Sequence, residues 1–454
     1  MAATFWPGVA MYDTVAQYGQ VLSGDVDDWH PPIMVRLWQL LHPLGPTTGP
    51  MFLLQVALYA SGFALIVAAL VRAGRWRAAI GAVVLAMSPL LLGWQMVVLK
   101  DAQMLGALVA AFGIVSHYRL AERRIAPPAA AVVALLLVYA TLVRANAVFA
   151  TVPFAVLILP RPRAMVARVC LTIAITGLVI GVSPLINDHL LGASPSGVAK
   201  SQPLFDLAAI AVATPNAPSP FTQEERRQIA KRHCVKAFFW DPLGEPTACG
   251  PAADRLTAQP AGKLYADLAR AVVTHPIAYA EHRLRHWNST ERWLVASDLP
   301  DAAPPIEAEP NEIGLGTPAS PFAASWQDHA ATEAATPFGW PIVWTFVALA
   351  LVPRAWRRRE AAAGQLALAL VASALLLEAS FLVISIASDL RYHLWSMTAS
   401  ALALILLSDS GRASRREWIA AAGLSAIAAA GVIARDTQPP APDTYQGMIH
   451  APSG

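Results

Sequence analysis

Tyr12-Asp13, followed by Gly24-Asp25-Val26-Asp27-Asp28-Trp29-His30-Pro31-Pro32, decides how the rest of the chain is read. Asp13, Asp25, Asp27 and Asp28 gather with His30 just ahead of the first long apolar segment. An acidic stretch at the point where a chain enters a bilayer has two uses. It is a solvated connector, or it is the reactive edge of a site that works on a lipid-borne substrate.

The 454 residues are 56% hydrophobic and only 14% charged, against about 25% charged in soluble domains. That deficit indicates a polytopic membrane protein, with apolar runs of roughly 20 residues crossing the hydrocarbon. The net charge is +3, and its basic residues recur in short clusters between apolar runs rather than in one patch, so no nucleic-acid partner is expected. Arg- and Ala-rich usage suggests a GC-rich bacterial source. Residues 1–10 lack a basic n-region, and their apolar run is too short for a signal peptide or a span. Either the chain starts outside, or an upstream first helix is missing.

Residues 31–44 read as a short helix at the membrane face. Spans are expected at 51–71, 78–97, 102–118, 129–143, 148–159, 165–186, 340–352, 364–386, 394–407 and 418–434. The fold class is therefore all-α, with about ten transmembrane helices, eleven if a first helix is missing. One set of loops holds Arg72, Arg75, Arg77; Arg119, Arg123, Arg124; Arg161, Arg163, Arg168; Arg354, Arg357, Arg358, Arg359; and Arg412, Arg415, Arg416. The positive-inside rule makes this set cytoplasmic. The other set, with the acidic stretch, Lys100-Asp101, Arg144 and Asp389-Arg391, then faces outward.

Residues 187–339 are too long for an ordinary connector. They read as a small extracytoplasmic domain between membrane parts at 1–186 and 340–434, with a tail at 435–454. Helical spacing occurs at 223–237 and 261–287, whereas 311–336 looks loop-like. Cys234 and Cys249 form a disulfide there if the compartment is oxidising, or remain two free thiols. Cys170, in an apolar run, reads as a small packing residue. Asn288-Ser289-Thr290 fits a glycosylation acceptor, a weak pattern.

Each short outer turn carries one basic residue at the lipid boundary: Lys100, Arg144 and Arg391. Phosphate oxygens are held by such groups, Arg as a planar fork and Lys as a point charge. A nearby carboxylate can serve as general base. Each residue also has a plainer reading. Asp101 pairs with Lys100 or favours its helix N-terminus. Arg144 snorkels. The aspartates at 25, 27 and 28 are solvated, His30 is a turn residue, and His393 is interfacial. Glu378, inside an apolar run, is either functional or a neutral packing residue. No P-loop, GxGxxG, GxSxG or metal-spaced Cys/His cluster occurs in the sequence.

Tyr12-Asp13, Gln17-Tyr18, Gly24 through Pro32, Leu99-Lys100-Asp101, Arg144-Ala145-Asn146 and Arg391-Tyr392 together resemble the membrane glycosyltransferases of the GT-C superfamily, family-39-like members included. The resemblance lies mostly in the first 190 residues. It implies an inner-membrane enzyme of the cell envelope whose periplasmic site takes a sugar from a polyprenyl-phosphate donor. Asp13 would be the catalytic base at the end of a first helix. His30 and Asp28 would lie near the donor, and Lys100, Asp101, Arg144, Asn146, Arg391 and Tyr392 would bind substrate. The acceptor would be a hydroxyl of a lipid, glycan or protein, with inversion. No cofactor and no metal are expected, although some superfamily members need a divalent cation. A lipid-linked oligosaccharide flippase and a non-catalytic scaffold are the competing readings.

Overall fold

The computed structural model describes residues 3–159, 164–316, 318–408, 415–442 and 444–451. Arg161, Arg163 and Arg412 of the basic clusters lie outside the described residues. Among the described residues the protein is built from helices, without named strands. Five helices are long and apolar enough to cross a membrane: Gly49–Arg72, Met165–Leu190, Ala362–Ile384, Leu390–Ser408 and Trp418–Thr437. A sixth forms if Trp76–Ala86 and Pro89–Gln95, bent by 54°, count as one span.

This is fewer than the ten expected spans, for two physical reasons. Pro127–Val143 and Pro341–Arg357 are 17 residues long and Val148–Ile158 is 11. At 1.5 Å per residue none exceeds about 26 Å, short of a hydrocarbon core of about 30 Å. Lys100–Arg119 is long enough, with 20 residues, but polar residues at both ends dilute its apolarity. The bend in 78–97 follows from Ser88-Pro89. The Ser88 hydroxyl caps the second piece at Leu91 N–H, and Pro89 takes its first helical position, where its missing N–H costs nothing.

The chain forms two compact units. The first comprises Met1–Ser194, Ala302–Glu378 and Arg391–Ala426. Its centre is the pairing of Gly49–Arg72 with Lys100–Arg119. A Cβ on Gly62 would lie 2.6 Å from the Ala110 backbone nitrogen, and one on Gly113 would lie 3.0 Å from Gly62 Cα. Only glycine at these crossings lets the two backbones approach so closely. A buried amide network runs alongside. Gln55 Nε2 donates to Gln95 O (2.7 Å) and Val97 O (2.8 Å), Gln103 Nε2 donates to Gln55 Oε1 (3.1 Å), and Tyr139 OH donates to Gln103 Oε1 (3.1 Å). These bonds satisfy the irregular backbone at 95–99 that breaks before Lys100. On Met165–Leu190 no part of the most apolar window is buried, and Val166, Ile173 and Leu178 stand outward. An apolar surface of that kind suits hydrocarbon rather than water.

The second unit comprises Pro195–Asp301, Ala379–Leu390 and Ile427–Gly454. Its boundaries differ from the expected 187–339: residues 302–339 belong to the first unit, and the tail joins the second. Helix Tyr445–His450 places Met448 and Ile449 in a core with Leu204, Phe205, Ile229 and Leu264. The Cys234–Cys249 disulfide is closed there, with an S–S distance of 2.08 Å. Buried Asp206 accepts from Arg283 Nη1 (3.1 Å) and Gln202 Nε2 (2.6 Å), joining Ser201–Ala213 to Pro276–Thr290.

Three local expectations need correction. Residues 261–287 form two helices, Ala261–Thr274 and Pro276–Thr290, because Pro276 denies His275 a helical conformation. The stretch 311–336 contains helix Pro321–Ala335, capped by the Ser320 hydroxyl at Ala323 N–H. Its alanine-rich sequence has high helix propensity but no apolar stripe. Cys170 is exposed rather than packed.

Candidate active site

Asp13 lies in the first turn of helix Tyr12–Ser23, not at the end of a helix. Two contacts pin that turn to the backbone leading into Lys100. Val9 N–H donates to Met96 O (2.9 Å) and Val98 N–H to Val9 O (2.9 Å). Thr14, one residue beyond Asp13, donates its hydroxyl to Val98 O at 2.7 Å. The two segments, far apart in sequence, therefore move as one piece.

The result is an ionic cluster within the first unit. Asp13 Oδ2 pairs with Lys100 Nζ at 3.0 Å and with Arg391 Nη2 at 3.2 Å. Asp101, fully buried, pairs with Arg144 Nη1, and its Oδ2 lies 3.8 Å from Arg391 Nε. Arg144 Nε donates to Asn146 Oδ1 at 3.1 Å. The Arg144 guanidinium stacks on the Tyr392 ring, 3.8 Å from its centroid, with Arg391 5.6 Å from the same centroid. Arg391 bridges the two carboxylates, so the cluster is one network rather than separate surface pairs.

Electrostatics follow from burial and charge together. Burial pushes the Asp13 carboxyl up. The charges of Lys100, Arg391 and His30, with the hydrogen bond from Lys100, more than offset this and hold it well below the usual carboxylate range. Burial and the Lys100 charge bring the His30 imidazole down to about 4, against the opposite pull of Asp13 and Asp27. His30 is therefore neutral at pH 7, with Nδ1 lying 3.5 Å from Lys100 Nζ.

Of the expected site residues, Asp13, Lys100, Asp101, Arg144, Asn146, Arg391 and Tyr392 thus come together, with His30 at the edge. Asp28 is half-buried and anchored by its backbone, its N–H donating to Ser194 O at 3.1 Å. The ion pairs above do not include it. His393 is not interfacial: it is fully buried, with Nδ1 2.7 Å from Glu378 Oε2. Ser396 donates its hydroxyl to Glu378 Oε1 and to His393 O (2.9 Å). This trio anchors the turn Leu390–His393 that carries Arg391 and Tyr392.

One residue escaped attention as a site member. Gln17 is fully buried one helical turn beyond Asp13, and its side-chain N and O have no hydrogen-bond partner among the described residues. A polar residue four positions from an acid on one helix was the available signal. Among the described residues, no group of three or more His, Cys, Asp or Glu is placed to hold a metal ion. Comparison with protein-family models, curated proteins and solved structures returned no match.

Proposed function

We propose that the protein is a polytopic glycosyltransferase of the bacterial cytoplasmic membrane, moving a sugar from a polyprenyl-phosphate donor to a hydroxyl acceptor at the periplasmic face. One observation carries this reading: a buried carboxylate, Asp13, shares two cations with a second acid–arginine pair at the ends of apolar helices. The short apolar helices complete about ten crossings on this reading, and the second unit stands outside the membrane as the extracytoplasmic domain. The alternation of Arg-rich loops with the loops bearing Lys100, Arg144 and Arg391 supports that orientation.

The chemistry is an inverting displacement. Asp13 takes the proton of the acceptor hydroxyl as its oxygen bonds to the anomeric carbon. The bond from that carbon to the phosphate oxygen breaks, and polyprenyl phosphate departs with the electron pair. Lys100, Arg391 and Arg144 meet the growing charge, usually the largest contribution to such catalysis. Lys100 and Arg391 hold Asp13 acidic while no phosphate competes for them. A bound donor phosphate draws on the same two cations and makes Asp13 more basic at the moment a base is required.

The flippase reading rests on Glu378, an acid within an apolar helix. It lies six residues before the end of Ala362–Ile384, about 9 Å along the axis. It is tied to His393, two residues from Arg391. That places it behind the cluster rather than along a path through the bilayer.

The test is sugar transfer from a polyprenyl-phosphate donor by purified protein in detergent. Asp13→Asn and Arg144→Ala should each lower turnover at least a hundredfold at wild-type expression and fold. Wild-type turnover by either variant would overturn the assignment.

A further inference from the structure

A second feature lies at the other end of helix Lys100–Arg119. Its 20 residues span about 30 Å, so its C-terminal end lies across the bilayer from the acidic cluster. There a cavity of about 370 Å³ opens between three helices. Leu65 of Gly49–Arg72, Ile114 of Lys100–Arg119, and Ala129 and Val132 of Pro127–Val143 give it apolar walls, and His117 and Tyr118 close one end. The rim is cationic. Exposed Arg72 lies with Nη1 3.2 Å from His117 Nε2, and exposed Arg123 lies with its guanidinium 5.9 Å over the Tyr118 ring.

Other arginines nearby are committed elsewhere. Arg119 donates to Ile158 O at 2.6 Å, and Arg168 donates to Leu157 O at 2.6 Å and Leu159 O at 2.9 Å. Arg72 and Arg123 spend little of their capacity on the contacts at the rim, since a guanidinium has five N–H donors. The N-terminus of Pro127–Val143 adds its positive dipole end at the mouth. Glu122, in the turn between, is the one carboxylate in 119–127.

We propose that this crevice binds one anionic phospholipid of the bilayer, its phosphate on Arg72 and Arg123 and an acyl chain along Leu65, Ile114 and Val132. The pairing of charge with apolar wall selects the occupant. A free phosphate would leave the walls uncovered, and a zwitterionic lipid would bring its own cation against the two arginines. This site is independent of the glycosyl-transfer reading.

The test uses the full chain in detergent micelles, with lipid binding followed by native mass spectrometry. Three probes are compared: dioleoyl phosphatidylglycerol, dioleoyl phosphatidylcholine and inorganic phosphate. Wild-type protein should retain phosphatidylglycerol over phosphatidylcholine. Arg72→Gln with Arg123→Gln should weaken phosphatidylglycerol about tenfold, the loss of roughly one charge-assisted contact, and leave phosphatidylcholine nearly unchanged. Val132→Trp, which fills the crevice, should weaken both lipids. Arg77→Gln, in another exposed basic loop, should change neither. Equal retention of the two lipids, an unchanged double variant, or displacement of phosphatidylglycerol by inorganic phosphate would each overturn the proposal.

Discussion

Replacing Lys100 by methionine tests the electrostatic core of the site without reference to any substrate. Lys100 Nζ sits 3.0 Å from Asp13 Oδ2. At that distance, with an effective dielectric of about 20, the attraction is about 5 kcal/mol, equivalent to ~4 pK units on the carboxyl. Methionine keeps the apolar stem and removes the charge. Arg391, at 3.2 Å, then faces the burial of the carboxyl alone, and burial is the largest single influence acting on it. The Asp13 pKa should rise by several units, into or above the range of an ordinary carboxylic acid. Infrared difference spectra of purified protein between pH 4 and 8 read this directly, through the carbonyl band of a protonated carboxyl. Wild-type protein should show no Asp13 component in that window. Lys100→Met should show one that vanishes in Lys100→Met/Asp13→Asn. A variant with the wild-type infrared titration would refute the reasoning, because it would mean that Lys100 does not set the Asp13 proton affinity.

Three further outcomes follow from the same geometry. Asp101→Ala removes the carboxylate between Arg144 and Arg391, both nearly buried, and should cost about 3–5 kcal/mol in unfolding experiments in micelles; Asp101→Ala/Arg144→Met should recover part of that loss, and a loss under 1 kcal/mol in the single variant would contradict a buried network. His30 has a folded pKa depressed to about 4 from 6.5, so its contribution is present above 6.5 and lost as pH falls toward 4, where the unfolded chain binds a proton that the folded one does not; His30→Gln should flatten the stability–pH curve across that window by up to about 3 kcal/mol, and an unaltered curve would count against a buried neutral imidazole. Cys234 and Cys249, 15 residues apart, should lend the second unit about 3 kcal/mol on the chain-entropy account; reduction should speed hydrogen exchange around Ile229 and Leu256, and equal exchange with and without reductant would show that the bond adds nothing there.

The sequence exposes the long apolar helices because their signal is local. Residues 165–186, 364–386 and 418–434 lie within a few residues of the helices found, since nothing interrupts the apolar run. It misplaces the break at Ser88-Pro89, since a proline inside an apolar window leaves mean hydropathy unchanged while it redirects the chain. It hides helix Tyr12–Ser23, whose polar residues read as a loop until the buried face of Thr14, Gln17 and Tyr18 is seen. At the site, the single basic residues at Lys100, Arg144 and Arg391 were conspicuous because short outer turns seldom carry them. The pairing of Asp13 with both Lys100 and Arg391 was not legible, since it depends on the Val9–Val98 contacts between segments about 90 residues apart. Nor was the Glu378–His393 pair. Each residue has a bland explanation alone, and only proximity joins them.

The charge balance of the cluster bears on what it could bind. Lys100, Arg144 and Arg391 carry three positive charges and Asp13 and Asp101 two negative ones, leaving one in excess with His30 neutral. On the proposed reading, a sugar joined to a lipid phosphate is a phosphodiester with a single negative charge, which matches that excess. During transfer the lipid phosphate becomes a monoester and gains a second negative charge. The acceptor proton arrives on Asp13 in the same step and removes one negative charge from the protein. The excess becomes two as the leaving group becomes doubly charged, so the buried site stays neutral throughout, as a water-poor environment demands. Asp13→Asn would hold the protein at that higher charge from the start, with no group to take the proton. It should therefore bind the product lipid phosphate at least as tightly as wild type while failing to transfer sugar. Loss of product binding in Asp13→Asn, measured with polyprenyl phosphate in micelles, would break the link between the ionic cluster and a phosphate ligand.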